Sequence, residues 1–207
     1  MGFDLYGVNP KNNAMEDDLN RRDALDEKWS DGSLTEEQQE EYFALTKAIR
    51  ADNPGEYFRN NVWWWRKLWI FVCNACDDIL SEEDMNYGNT NDNHLITEDK
   101  ALAIADKLDA LLEDGTVDTI QKDVMEQVEA GRKINKQVEK EVQELRKLVI
   151  KATGNEDIVP MNYPEEWKEQ YEKIRSKEDW SSRYPFHKDN VKEFSKFCRQ
   201  SGGFRIC

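Results

Sequence analysis

Nothing in this 207-residue chain approaches the ~18 consecutive apolar residues that a membrane-spanning helix requires. The start, Met1-Gly2-Phe3-Asp4-Leu5, has neither the basic n-region nor the apolar h-region of a secretory signal, and Tyr6 stands where a myristoylation signal wants Ser or Thr. The expectation is a cytoplasmic protein with no membrane partner. Histidine is scarce, with His94 and His187 alone, and the sequence has no Walker or dinucleotide-type glycine loop and no serine nucleophile elbow. A non-enzymatic protein without cofactors is therefore expected, and a nucleotide hydrolase is the catalytic alternative.

Metal donors are also few. Cys73-x-x-Cys76 has zinc-knuckle spacing, and Cys198 and Cys207, or His94, would complete a set of four. The first pair falls within a helical pattern and the second has an eight-residue spacer, so four small buried thiols and no metal are expected. Asn89, Asn91 and Asn93 have the odd-position spacing of a calcium loop, but they supply few charged oxygens, and Lys100 stands where the closing Glu belongs.

What the chain has in excess is acid. Asp and Glu number 43 against 29 Lys and Arg, a formal charge of −14. A field of that sign repels phosphate backbones and anionic lipid, which excludes broad direct nucleic-acid binding, and it attracts basic protein surfaces.

Along the chain, Phe3 and Leu5 alternate with Asp4 and Tyr6 as in a short strand before Gly7 and Pro10 interrupt. Glu16 to Ala51 reads as a charged helical hairpin broken at Gly32-Ser33, with a capping box from Ser33 to Glu36. Asn61 to Leu80 is apolar most of the way round, as a central buried helix would be. A polar loop, Met85 to Leu95, leads to a helix capped by Thr97 and closed by Gly115. From Val117 to Thr153 apolar residues recur at steps of three and four, with a gap at Gly131 as the expected weak point. A stripe that long needs a cover, either a second copy in a homodimer or a hairpin folded at Gly131. A Pro164-capped helix runs to about Lys177, a last helix covers Asp189 to Gln200, and Ser201-Gly202-Gly203 releases the chain into Phe204–Cys207.

The fold class expected is mainly α: a compact helical domain around a Trp-rich central helix, a two-stranded mini-sheet from the chain ends, and a long helical or coiled-coil arm. The core would comprise 1–13, 52–116 and 154–207, with an inserted hairpin at 14–51 and the arm at 117–153.

The richest constellation is Tyr57-Phe58-Arg59-Asn60-Asn61-Val62-Trp63-Trp64-Trp65-Arg66. At a helix entry, free N–H groups favour an anion. Trp63 or Trp64 would stack on a planar ring, Arg59 and Arg66 would pair with phosphate, and Asn60 and Asn61 would fix orientation. The bland alternative makes the tryptophans core and one Asn an N-cap. Asp4, Tyr6, His94, Gly202 and Gly203 are assigned to the same site because the chain ends are expected to meet beside the Trp helix. There the glycines would let a backbone or a ligand approach, and His94, beside Asp92 in a polar loop, keeps a minor acid–base role.

Three blocks, Met1 to Pro10, Tyr57 to Trp69 and Phe194 to Cys207, together resemble a family of small proteins encoded by bacteria and their phages, in which Pro usually stands at the position of Lys67. The resemblance covers roughly half the chain and brings no activity with it. It implies that Glu16–Ala51 is an insertion and that Val117–Thr153 is individual to this chain. Its phage association suggests counter-defence in a host cytoplasm. The leading expectation is thus a binding protein that sequesters a small anionic, nucleotide-like ligand. The alternative is an acidic inhibitor or adaptor of a host protein, with nucleic-acid mimicry following from its charge.

Overall fold

The alternation at the start of the chain becomes β1, Gly2–Gly7, and the apolar end becomes β4, Phe204–Ile206, and the two pair antiparallel. The pair is the centre of a larger sheet. Tyr57–Asn61 forms β2 on the far side of β1, and His94–Ile96 forms β3 beside β4, giving the order β2-β1-β4-β3 with every neighbour antiparallel. Both added strands lie where the sequence suggested a helix entry and a loop. A computed structural model describes residues 2–207, and it is mainly helical.

One face of the sheet is apolar: Phe3, Leu5, Phe58, Ile96, Phe204 and Ile206 are buried. Three helices carry the complementary faces. They are α3 (Val62–Ala75) with Trp65, Leu68, Trp69 and Val72, α5 (Glu98–Glu113) with Ala101, Ile104, Ala105 and Leu108, and α8 (Lys188–Gln200) with Val191, Phe194, Phe197 and Cys198. The central Trp helix expected from its all-round apolarity is α3, although it stops at Ala75 and not Leu80. A short helix, α4 (Glu82–Tyr87), follows Ser81, whose side chain forms a capping box with Asp84.

The acidic hairpin is α1 (Glu16–Ser30) and α2 (Glu36–Asp52). Its capping box is made by Thr35 and Gln38, not by Ser33 and Glu36, because the chain turns through Gly32 at φ +74° and helical geometry begins two residues later than the spacing implied.

The helix α6, Thr116–Thr153, is continuous through Gly131, so there is no hairpin at that residue. The chain divides into two compact units. Met1–Asp118 with His187–Cys207 form the first, which holds the sheet, and Thr119–Phe186 form the second. Residues 154–186, grouped with the core from sequence, thus cluster with α6.

Within the second unit, Leu145 and Val149 of α6 pack with Ile158 and Tyr163. Trp167, Tyr171 and Ile174, the last three on α7 (Glu165–Arg175), lie against this cluster. Val138 and Val142 are buried as well. The C-terminal half of the stripe is therefore covered by its own chain, which removes the need for a second copy there, whereas Met125, Ile134 and Leu148 remain exposed.

Gly131 is a packing seat and not a weak point. A Cβ placed on it would stand 2.5 Å from Asp179 Oδ2 and 2.9 Å from Ser182 Cβ, in a turn that Asn135 holds by accepting from Asp179 N–H at 2.8 Å. Helix propensity alone predicts that Gly131→Leu stabilises by somewhat under ~1 kcal/mol. Overpacking of this seat should instead produce a net loss of roughly 1–2 kcal/mol, read as a lower melting temperature.

Candidate functional site

Successive residues of a strand point to opposite faces, and this decides which of the expected site residues can meet. Phe3 and Leu5 point inward from β1, so Asp4 and Tyr6 point outward. Across the ladder, Tyr57 stands opposite Tyr6, Arg59 opposite Asp4 and Arg205 opposite Tyr6, and Leu95 stands opposite Arg205. The outer face thus carries the row Tyr57, Tyr6, Arg205, Leu95 over all four strands, with the pair Arg59 and Asp4 one step along.

These groups are tied together. The Tyr57 hydroxyl donates to Asp4, whose Oδ1 lies 3.5 Å from Arg59 Nε. Burial, reinforced by the bond to Asp4, pushes the Tyr57 phenol up to about 12, so it stays a neutral donor near neutral pH. The Arg50 guanidinium sits 4.7 Å from the Tyr57 ring centroid, and the Tyr6 ring lies 5.2 Å from it, tilted by 49°. Tyr6 is 50% exposed. Arg205 Nη1 donates to the Asn93 carbonyl at 3.0 Å, which leaves its other N–H groups for further partners.

Asn60 and Asn61 do not join this face. Asn60, the neighbour of Arg59, points inward and donates from Nδ2 to Asn190 Oδ1 at 3.0 Å. Asn61 is the N-cap of α3, its Oδ1 accepting from the N–H groups of Trp63 and Trp64 at 3.0 and 3.1 Å. Two of the free donors expected to hold an anion are therefore already satisfied. Trp63 and Arg66, three residues apart, share an exposed side of α3, while Trp64 turns away and is half-buried. Asp4, Tyr6 and Arg59 are thus brought together, and Asn60, Asn61 and Trp64 are not brought to them. Tyr57, part of the expected run but given no role in it, joins the cluster, as do Arg205, Leu95 and Arg50, which the sequence did not point to. Alternation over 57–61 and 204–206 was the signal for the first two.

Gly202 and Gly203 serve backbone approach. Both have positive φ, +59° and +85°, and an added Cβ would meet Asn9 O at 2.2 Å in the first case and Glu98 N at 2.9 Å in the second. The strand ends close through Val8 N–H to Gly203 O at 2.8 Å and Asn9 N–H to Ser201 O at 3.0 Å.

His94 belongs to a separate, buried cluster, and its partner is not Asp92. Its Nε2 lies 2.9 Å from Oδ1 of Asp84, a carboxylate only 5% exposed, and its ring stacks on Tyr87 at 5.1 Å. Lys100 donates to Asp84 Oδ2, as do the Ser81 amide at 2.9 Å and its hydroxyl at 2.8 Å. Burial raises the affinity of Asp84 for a proton. The bonds from Lys100, His94 and Ser81 outweigh that effect and hold its carboxyl well below the usual carboxylate range. A carboxylate held from so many sides ties α4, β3 and α5 together.

The four cysteines are unbridged, and among the described residues no group of three or more His, Cys, Asp and Glu converges as a metal site. Burial pushes the thiols of Cys73 and Cys76 up to about 11 and 12 and raises that of Cys198 as well, which leaves them inert at neutral pH. Comparison with protein-family models, curated proteins and solved structures returns no match to the chain.

The sign of the Asp84 linkage follows from its lowered value. Its contribution to stability is complete above the unfolded carboxylate value near ~4 and declines as pH falls below that value. Asp84→Ala strands His94 and Lys100 in a largely enclosed site and should cost roughly 2–3 kcal/mol at pH 7. Melting curves from pH 7 to 3 should show the difference between variant and parent shrinking toward the acid end.

Proposed function

We propose that this protein is a non-catalytic binding protein for an anionic, ring-bearing ligand of the nucleotide type, with the outer face of the sheet as its contact surface. The observation that carries the reading is the joint placement of Tyr6, Tyr57, Arg59 and Arg205 on one exposed face. Neighbouring strands are ~4.8 Å apart, so an aromatic ring and two guanidinium groups fall within the span of a single nucleotide. A base stacks on the open ring of Tyr6, and Arg59 and Arg205 flank it with donors suited to phosphate. Tyr57, fixed by Arg50 and Asp4, supports Tyr6 from the side. Three guanidinium groups against one carboxylate make this patch locally cationic in a strongly acidic chain, which favours an anion here.

Sequestration of a nucleotide signal, the counter-defence role suggested by the resemblance to phage-encoded proteins, is the biological form of this proposal. A seat at the entry of α3 is less well supported, because Arg59 and Asn60 point to opposite sides and Asn61 is occupied as a cap.

A panel of nucleoside monophosphates, triphosphates and cyclic dinucleotides, titrated by calorimetry, tests it. One class should bind, and Tyr6→Ala and Arg205→Ala should each weaken that binding by about 1–3 kcal/mol. Arg66→Ala should leave it unchanged. Loss with Arg66→Ala but not with Tyr6→Ala would move the site to the helix entry, and no binding by any member of the panel would reject a nucleotide ligand.

A further inference from the structure

The hairpin α1–α2 lends Arg50 to the sheet face, and elsewhere it has an unusual surface. Its two helices bury Leu25 and Ile49, yet they leave Trp29 47% and Phe43 57% exposed. These two rings and Tyr42 form a closed triangle. Trp29 lies 5.6 Å from Tyr42 in a stacked arrangement and 5.6 Å from Phe43 edge-on, and Tyr42 lies 5.8 Å from Phe43. Asp26 fixes the cluster by accepting from the Tyr42 hydroxyl at 2.9 Å. A preorganised triad of Trp, Tyr and Phe held in water matches the composition of interface hot spots, where rigid aromatic anchors supply contact area at little entropic cost.

The charge around it selects the partner. Residues 14–52 contain twelve Asp and Glu against five Lys and Arg, so half of the net charge of −14 lies in less than a fifth of the chain. The cations present are partly spent inside the hairpin and its base: Arg21 pairs with Glu41 at 2.7 Å, and Arg22 pairs with Asp23 at 3.0 Å and with Glu56 at 3.6 Å. Glu27, Glu36, Glu37 and Glu40 make no ion pair among the described residues and are exposed.

We infer that the α1–α2 hairpin is a docking surface for a basic protein segment, which inserts an apolar side chain against Trp29, Tyr42 and Phe43 while its Lys and Arg side chains meet the surrounding carboxylates. The acidic field speeds encounter with such a segment, and the aromatic triad holds it once bound. A second copy of this chain is a poor occupant, since two molecules of charge −14 repel one another. This surface is independent of the nucleotide-binding face, so the two stand or fall separately.

The test uses the full chain and two labelled 18-residue peptides of equal charge, one an amphipathic Lys/Leu helix and the other a Lys/Ser sequence, followed by fluorescence anisotropy. The Lys/Leu peptide should bind more tightly than the Lys/Ser peptide. Trp29→Ala with Phe43→Ala should reduce its affinity by roughly ten-fold or more. Glu36→Gln with Glu37→Gln and Glu40→Gln, which alters only exposed groups and keeps the fold, should reduce affinity and flatten its dependence on salt. Tyr6→Ala should change neither. Equal binding of both peptides, or binding that survives the aromatic double variant with its fold verified by circular dichroism, would reduce the effect to non-specific charge attraction and overturn the proposal. Self-association of the peptide-free protein that is abolished by Trp29→Ala would also overturn it, by assigning the surface to a second copy.

Discussion

The arrangement of the first unit depends on Trp65. Fully buried on α3, its indole stacks on Phe3 of β1 at 5.4 Å and on Trp69 at 5.2 Å, and it meets Phe194 of α8 edge-on at 5.8 Å. Its N–H donates to the Gly88 carbonyl at 2.7 Å, which fastens the segment after α4 to the same ring. Gly88 must be glycine, because a Cβ there would stand 2.0 Å from the Trp69 ring. Offset and edge-on aromatic contacts contribute about 0.5–1.5 kcal/mol each beyond the area they bury. The larger consequence is geometric: with Phe3 pinned inward by Trp65, the register of β1 is set, and Asp4 and Tyr6 have no choice but to face out.

That constraint explains why a continuous run of suggestive residues does not make a continuous site. Between Tyr57 and Asn61 the strand period sends alternate side chains to solvent and to core, and beyond Val62 the helical period takes over and turns each residue by ~100°. A ligand site built from such a run must recruit its other half from distant segments. In the proposed site β1 and β4 supply it. The closest equivalent of the expected cluster is therefore spread across the sheet, with Tyr6 standing where Trp63 or Trp64 was expected to offer a ring and Arg205 where Arg66 was expected to offer a guanidinium group.

Much of the helical architecture was legible because long periodic patterns leave little freedom. The extents of α5 and α8 and the burial of Trp65 and Trp69 follow from spacing and caps. The meeting of the chain ends was legible from Gly202-Gly203 between an amphipathic helix and an apolar strand. Strands β2 and β3 were not, for a physical reason: five and three residues are too short for period two to outweigh the turn-like composition around them, and tertiary pairing with β1 and β4 decides their conformation. The cover over Leu145 and Val149 was hidden for a related reason. Ile158, Tyr163, Trp167 and Ile174 lie in a stretch too polar on average to announce a core, and their apolar side chains act only once the chain has doubled back.

Whether the outer face binds or reacts can be argued from proton inventory. General acid–base work needs a group that exchanges a proton near neutral pH and still has a lone pair free for the substrate. On this face Tyr57 is a neutral donor already committed to Asp4, and Asp4 accepts from Tyr57 and stands beside Arg59. The guanidinium groups of Arg59 and Arg205 offer N–H donors and no acceptor. Cys207 is the next outward position after Arg205, and its thiol, a weak donor, lies 3.4 Å from the amide oxygen of Asn93, which is an acceptor and not a base. His94 points to the other side of the sheet and is held by Asp84. What remains at the surface is a set of fixed donors around an open ring, and it is on this combination that the proposed binding of an anion rests.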